Sequence, residues 1–270
     1  MQFSDIPFGL ELCRFTGWNQ LESDWRNLFA ISPDGLFIAE LDGQSCGTAS
    51  AVNYKTSLGW IGMILVPPKY RRKGIASALM NKCIEHLKNL EVKSIKLDAT
   101  DQGRLVYLKL GFEDEQPIYR YTASKTFDNQ KYKQQDMDWV KIKYIDKEAF
   151  GADRIILLKN LYKNGYSKQI KSSERDFGYG FAKQGFEASF IGPVVSNDLG
   201  AAELVLDGLL EQLPPGKVYI DVLTNNEKAK ELIEEKGFII ARELTRMYLG
   251  HNNTCSKNDM IFSTSGFELG

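Results

Sequence analysis

The chain has 270 residues, a formal net charge of −1, 43% hydrophobic residues and 26% charged residues. This length allows one large domain or two domains of ordinary size, and the composition is typical of a soluble globular protein. The small net charge excludes a general electrostatic attraction to nucleic acid or to an anionic membrane. No apolar run is long enough to cross a membrane, and the N-terminus lacks the basic residues of a signal peptide, so we expect a cytoplasmic protein.

Four cysteines are scattered along the chain without C-x-x-C spacing: Cys13, Cys46, Cys83 and Cys255. Cysteines in this arrangement are typical of free thiols in a reducing compartment. The spacing does not indicate metal ligands, and we therefore predict that the protein uses no metal ion.

The first part of the chain alternates predicted strands and helices. The segments "LFIAELDG" and "SCGTASAVNY" predict a β-hairpin that turns at Asp42 and Gly43, a pair that favours tight hairpin turns. "GWIGMILV" is mostly apolar and predicts a third strand that is buried on both faces. Apolar residues at helical spacing follow Gly74, "SIKLDA" predicts another buried strand, and a short helix ends near Gly111. The pattern predicts a mixed α/β fold.

The same order of elements recurs after residues 123–138, a segment with few aliphatic residues that we interpret as a linker. "IGMILVPPKYRRKGIASALM" corresponds to "IGPVVSNDLGAAELVLDGLL", and "KLGF" corresponds to "EKGF". The interval of 37 residues between Gly74 and Gly111 is repeated between Gly200 and Gly237. An internal duplication explains the shared order and spacing.

We therefore predict two related domains, residues 1–122 and residues 139–270, which differ in the loop before the matching helices. In the first domain four of the five residues from Lys69 to Lys73 are basic, and the helix follows Gly74, which has no side chain to cap it. The second domain has no basic residue in this loop, and "SND" supplies ordinary helix caps. Uncapped N–H groups and the helix dipole favour phosphate, so the first domain is predicted to bind an external polyanion.

The sequence "RRKGIA", together with the strand before it, the helix after it and the later Tyr-x-x-x-Gly-Phe, resembles the GNAT acyltransferase superfamily. In that family an R/Q-x-x-G-x-G/A loop cradles the pyrophosphate of acetyl-coenzyme A. The resemblance covers residues 36–115, and the two-part layout is similar to tandem GNAT proteins whose second half is a degenerate copy. It implies an α/β fold with a mixed sheet and two tandem GNAT-like domains.

The resemblance also implies roles for particular residues. Backbone N–H groups and basic side chains of one loop and helix start would bind the pyrophosphate: Arg71, Arg72, Lys73, Gly74, Ile75, Ala76 and Ser77. Ile64, Leu65 and Val66 of the third strand would bind the pantetheine arm. Tyr107 falls where the family places its general acid, and a phenol can protonate the leaving thiolate. The matching position in the second domain is Ile233, which implies a non-catalytic second half.

Two positions depart from the family pattern. Many family members have Asn seven residues before the tyrosine, but this chain has Thr100 there, and the second domain keeps Asn226. Some relatives carry a Glu base on the strand that reads "GWIGMILV" here, and this strand has no acid. The amine would then lose its proton to a water chain or to another residue such as Asp98, or the substrate is already neutral.

The acceptor region of the family corresponds to the segment that begins at Trp18. The candidate substrate residues are Trp18, Asn19, Trp25 and Asp98. Trp18, Trp25 and Asp98 also have a structural interpretation, because tryptophans are equally typical of a hydrophobic core and a buried Asp is more often a hydrogen-bonding group. Tyr107 can likewise be interpreted as a core aromatic residue.

We predict an N-acetyltransferase that moves an acetyl group from acetyl-CoA to a primary amine by direct attack on the thioester. The alternative is a non-catalytic acyl-CoA-binding sensor or scaffold protein. Tyr107 favours the enzyme, whereas the absent strand acid leaves the sensor open. The expected partner is a small-molecule or peptide amine rather than nucleic acid or a membrane. We expect the second domain to contain an ion pair between Asp153 and Arg154, to pack on the first domain and to help form the acceptor pocket.

Overall fold

The computed structural model describes residues 1–126, 134–171, 176–252 and 256–270. Part of the predicted linker and Cys255 lie outside the described residues. Within the described part of the chain, no helix is long and apolar enough to cross a membrane.

Each half of the chain has the same order of helices and strands. The elements of the first half are α1 Ile6–Thr16, α2 Glu22–Ile31, β1 Leu36–Leu41, β2 Gln44–Tyr54, β3 Leu58–Leu65, α3 Ile75–Asn89, β4 Ser94–Ala99, α4 Asp101–Lys109 and β5 Glu113–Lys125. Those of the second half are α5 Trp139–Phe150, α6 Ile155–Asn164, β6 Tyr166–Lys171, β7 Phe177–Lys183, β8 Ser189–Ser196, α7 Leu199–Gln212, β9 Gly216–Leu223, α8 Glu227–Glu235 and β10 Ile239–Gly250. A short strand, β11 Ile261–Ser263, follows them. The predicted α/β duplication is confirmed.

Local sequence signals explain the first elements. The β1–β2 hairpin turns at Asp42 and Gly43, whose φ angles of 53° and 74° are those that a tight hairpin turn requires. The third strand is buried along its length except at Ile64, which is partly exposed. The helix that follows Gly74 and the strand "SIKLDA" also lie where the sequence predicts them.

The two halves share one sheet through an exchange of strands. The strand order is β1-β2-β3-β4-β10-β5-β9-β8-β7-β6, and β11 pairs with β8. Thus β10 of the second half lies between β4 and β5, and β5 of the first half lies between β10 and β9. Only β3–β4 and β8–β9 are parallel among the described pairs. The exchange makes each half depend on the other for its final strand.

A matching ion pair fixes each exchanged strand. Asp98 of β4 accepts two hydrogen bonds from Arg246 of β10, at 2.8 and 3.0 Å. Asp221 of β9 accepts two from Arg120 of β5, both at 2.7 Å. Both carboxylates are fully buried, and removing one partner of such a pair costs about 3–5 kcal/mol because the other charge is left unpaired. Each pair therefore joins an exchanged strand to its neighbour from the other half.

The C-terminal residues 261–270 are buried between the halves. The indole Nε1 of Trp60 donates to the carbonyl of Phe267 at 2.9 Å, and the hydroxyl of Tyr54 donates to the carbonyl of Leu269 at 2.8 Å. Arg154 of the second half donates to the carbonyl of Gly270 at 2.8 Å. The segment thus connects both halves across their interface.

The predicted ion pair between Asp153 and Arg154 is wrong. Arg154 points into the core and pairs with buried Asp146 at 2.9 Å. Asp153 instead accepts from the N–H of Ile155 at the start of α6, at 3.1 Å, and faces Lys55. Adjacent residues at a helix start point in different directions, and here only the arginine points inward.

Candidate functional site

The start of α3 presents backbone N–H groups that no side chain caps. Gly74 is the N-cap residue, its φ is +79°, and it makes no side-chain capping bond. A Cβ atom added at Gly74 would meet no heavy atom within 4 Å, so the space before the helix is open. Arg72, two residues before Gly74, also has a positive φ of 61°, and successive residues with unusual φ angles favour backbone concavities that bind anions. The arrangement is suited to an anion.

The basic side chains of this loop are exposed around the helix start. Arg71 is anchored, because its Nε donates to the carbonyl of Val66 at 3.1 Å. The Nζ of Lys73 lies 5.6 Å from the ring centroid of Tyr70. These cations raise the positive potential where the helix dipole is already positive.

A cleft of about 760 Å³ extends from this loop into the sheet. It brings together most of the residues that the sequence predicts for the site: Trp18, Ile64, Leu65, Val66, Arg71, Arg72, Gly74, Ile75, Ala76, Ser77, Asp98 and Tyr107. Three predicted residues, Asn19, Trp25 and Lys73, are not among the described residues that line the cleft.

The cleft enters the sheet where β3 and β4 diverge. Among the described residues, these parallel strands form only two cross-strand pairs, Gly59 with Ile95 and Trp60 with Lys96. Beyond that point β3 contains a bulge at Met63, whose φ is 52° and whose carbonyl accepts from Thr48 at 3.0 Å. A bulge re-aims backbone groups, and the residues after it form one wall of the gap.

Tyr107 faces the cleft from α4. Its ring lies against the first turn of the same helix, where a Cβ atom on Gly103 would come within 3.0 Å of it. The ring also packs near Phe112, with 6.1 Å between centroids. Burial raises the pKa of the Tyr107 hydroxyl to about 12, with a smaller contribution from Cys83. The phenol therefore keeps its proton at neutral pH and can donate it.

The remaining predicted residues have defined structural contacts. Trp18 is partly buried and lines the cleft. Trp25 is fully buried against Gly9 of α1. The amide of Asn19 donates to the carbonyl of Ala188 at 2.8 Å and holds the β7–β8 connection. Asp98 lines the cleft, but both of its carboxylate oxygens are bound by Arg246.

In the second half the corresponding gap, between β8 and β9, contains the chain itself. β11 pairs with β8 at Val194 and Val195, and the N–H of Thr264 donates to the carbonyl of Asp221 at 2.9 Å. The start of α7 is capped as predicted, because Asp198 accepts from the N–H of Ala201 at 2.8 Å. In the second half, β11 and Thr264 therefore occupy the gap that corresponds to the predicted pantetheine site, and Asp198 occupies the helix start that corresponds to the predicted phosphate site.

Asn226 holds the inserted segment in place. Its Nδ2 donates to the carbonyls of Asn258, Asp259 and Ile261 at 3.1, 3.2 and 2.9 Å. Its Oδ1 accepts from the N–H of Ala229 and caps α8. An asparagine that the family pattern associates with the cofactor thus binds this chain's own backbone.

Comparison with known proteins identifies the family of both halves. Residues 8–112 match the acetyltransferase (GNAT) family, and residues 142–263 match an acetyltransferase (GNAT) domain. The chain is a tandem GNAT protein. It is 32% identical over 110 residues to an uncharacterized N-acetyltransferase of Methanocaldococcus jannaschii, a match that covers 37% of this chain and 48% of that protein. The chain thus spans about half the length of this relative.

Solved structures have the same tandem arrangement. One is the crystal structure of a proposed acetyltransferase from Pyrococcus horikoshii, which is 25% identical in sequence. The match covers 100% of this chain and 94% of that chain, with a TM-score of 0.83. A tandem GNAT protein of the clavulanic acid biosynthesis pathway is 10% identical, covers 86% of this chain and 88% of its own, and has a TM-score of 0.59. At that identity the second likeness shows the fold alone.

Three residues that line the cleft of this GNAT protein come from beyond the first half. Arg242 and Glu243 lie on β10, and Phe267 lies in the C-terminal segment. The prediction that the second half packs on the first is confirmed by these contacts and by the exchanged strand. No sequence signal pointed to these residues, since Arg242 and Glu243 reach the cleft through the strand exchange and Phe267 through the return of the C-terminal segment to the first half.

Proposed function

We propose that the protein transfers an acetyl group from acetyl-CoA to a primary amine, with the chemistry confined to the first half. One observation carries this proposal: the first half combines an uncapped helix start with an open gap in the sheet. The second half fills both with its own residues. In a family of acetyltransferases, the free helix start and the open gap are the places where acetyl-CoA would bind.

The residues around α3 fit the anionic part of such a ligand. The N–H groups of Ile75, Ala76 and Ser77 would hold the pyrophosphate, and Arg71, Arg72 and Lys73 would add charge. Ile64, Leu65 and Val66 would bind the pantetheine arm along β3. When bound, acetyl-CoA supplies an acetyl group activated as a thioester.

The transfer needs a nucleophile, a group that polarises the carbonyl and an acid. The amine attacks the thioester carbonyl, and N–H groups of β3 beside the bulge donate to the carbonyl oxygen. Tyr107 gives its proton to the departing thiolate. Asp98 is a poor choice of base because Arg246 occupies it, so we assign removal of the amine proton to water.

A thiol-release assay with acetyl-CoA and a panel of primary amines tests this function. We expect release of coenzyme A that depends on the amine, together with a matching mass increase of one acetyl group on the amine. Tight binding of acetyl-CoA without release for any amine would instead support the acyl-CoA sensor.

A further inference from the structure

Arg242 enters the cleft from β10, on a defined face of the sheet. Arg242, Leu244 and Arg246 alternate along the strand and share one face. That face is the one that carries Trp60, because Leu244 packs in the same cluster as Trp60 and the Arg246 guanidinium lies 4.7 Å from the Trp60 ring centroid. Trp18 packs against this cluster too.

The phosphate loop and α3 pack on the other face. The apolar residues of α3 form a separate cluster with Ile61, Leu97 and Met247. Met247 lies on the opposite side of β10 from Leu244, as the two clusters show. Arg242 therefore faces the part of the cleft that lies away from the predicted pyrophosphate site.

Arg242 is partly buried and forms no hydrogen bond or ion pair with any residue that the structure describes. Its register partner on β5 is Arg120, whose guanidinium is committed to Asp221. Burial lowers the pKa of Arg242, and the charge of Arg120 lowers it further, while Asp221 and Asp101 act in the opposite direction. The neighbouring arginines on β5 and β10, Arg120 and Arg246, each have a bidentate carboxylate.

A partly buried guanidinium beside a second arginine loses hydration without gaining a partner. Such a group is stabilised by an anion, and its planar donors match a carboxylate in two parallel hydrogen bonds. The opening of the cleft beside Arg242 gives an external anion access to it.

We propose that Arg242 binds a carboxylate of the acceptor, so that the acceptor carries both an amine and a carboxylate, as an amino acid or a short peptide does. This inference rests on the proposed function, since it assigns the amine-bearing substrate to the face of the sheet where Leu244 packs with Trp18 and Trp60. Arg242 would act as a specificity-determining residue, not as an acid or base. An anion on the cofactor is the alternative source of the same chemistry.

Matched substrate pairs test the inference. Initial rates are measured at saturating acetyl-CoA for the twenty free L-amino acids, a set of dipeptides and the corresponding C-terminal amides. For the best pair we expect kcat/KM to favour the carboxylate by at least about 30-fold, as for loss of one partner from a desolvated charge pair. Arg242→Gln should remove this preference by raising KM for the carboxylate alone, and Arg242→Lys should restore part of it. Arg26→Gln, which removes an exposed charge from α2, is the control.

Calorimetry on the full chain saturated with coenzyme A gives a readout that does not depend on turnover. A carboxylate should bind more tightly than its amide to the wild type and equally weakly to Arg242→Gln. Equal behaviour of acids and amides in the wild type, or no binding of any carboxylate, would overturn the inference while leaving acetyl transfer to simple amines intact. If Arg242→Gln weakens coenzyme A binding instead, Arg242 belongs to the cofactor site and the inference is wrong. Failure of acetyl transfer with all amines, together with Arg242-dependent carboxylate binding, would reject the proposed function and leave Arg242 as a carboxylate-binding residue of a ligand that is not an acetyl acceptor.

Discussion

The gap between β3 and β4 in the first half corresponds to the gap between β8 and β9 in the second half. The first gap is open, and the second is filled. The first gap opens to a cleft at the uncapped start of α3, whereas β11 and Thr264 occupy the second. Asn226 of the second half binds the backbone carbonyl of Ile261, at the start of β11. A duplicated groove can thus be retained as structure once its ligand is replaced by a covalently attached segment of the chain.

The largest expected difference between the halves is catalytic, and it depends on Tyr107. Tyr107→Phe keeps the ring against Gly103 and Phe112 but removes the proton that the thiolate needs. We expect turnover to fall by about 10²- to 10⁴-fold, with little change in coenzyme A affinity or melting temperature. Steady-state kinetics and calorimetry measure the two effects, and Tyr119→Phe, outside the cleft lining, is the matched control.

The pH profile sharpens this prediction. Because burial raises the pKa of Tyr107 to about 12, the acid stays protonated through pH 10, and its titration should not lower the rate between pH 8 and pH 10. A rate that declines with an apparent pKa near 9 in the wild type, and not in a Tyr107→Phe variant, would contradict the assigned environment.

The second expected difference concerns coenzyme A binding at the two helix starts. Gly74→Trp places a large side chain in the open space before α3 and forces a positive φ on a residue that disfavours it. We expect affinity to fall by about 100-fold, which corresponds to about 2.8 kcal/mol. Calorimetry measures it, and Gly200→Trp at the exposed second residue of α7 should bind as the wild type does. If a titration of the wild type shows two equivalent sites, the two helix starts do not differ in coenzyme A binding and the prediction is wrong.

The sequence predicted the local parts of this comparison because they depend on local chemistry. The turn at Asp42 and Gly43, the uncapped helix after Gly74 and the cap at Asp198 each follow from a few adjacent residues. The internal repeat was likewise visible as a repeated spacing.

The long-range parts could not be predicted in the same way. The exchange of β5 and β10 puts Arg120 beside Asp221 and Arg246 beside Asp98, and such pairs are far apart in the sequence. Since Arg242 depends on the same exchange, its place in the cleft could not be predicted either. The pairing of residues 261–263 with β8 likewise joins positions that are far apart in the sequence.

Equivalent helix caps should differ in their effect on stability. Asn226 donates to three carbonyls of residues 258–261, which lead into β11, in addition to making its cap, whereas Thr100 caps α4 with one bond to Gly103. We expect Asn226→Ala to lower the free energy of unfolding by about 2–3 kcal/mol, since buried carbonyls lose their donor. Thr100→Ala should cost about 1 kcal/mol. Urea unfolding measures both values, and equal losses would mean that Asn226 does not hold the segment.

The smallest expected effect is the response of coenzyme A binding to salt. The helix N–H groups of the first half act at short range, but the exposed side chains of Arg72 and Lys73 act through solvent and are screened. Raising the salt concentration from about 0.05 M to 0.5 M should therefore weaken binding by about three- to tenfold, as the Debye length falls below the separation of these charges from the ligand. Arg72→Gln should reduce the slope of affinity against salt, and Lys228→Gln, an exposed charge on α8, should leave the slope unchanged. Binding that does not respond to salt would show that the backbone of α3 alone holds the phosphates, and the basic loop would then need another explanation.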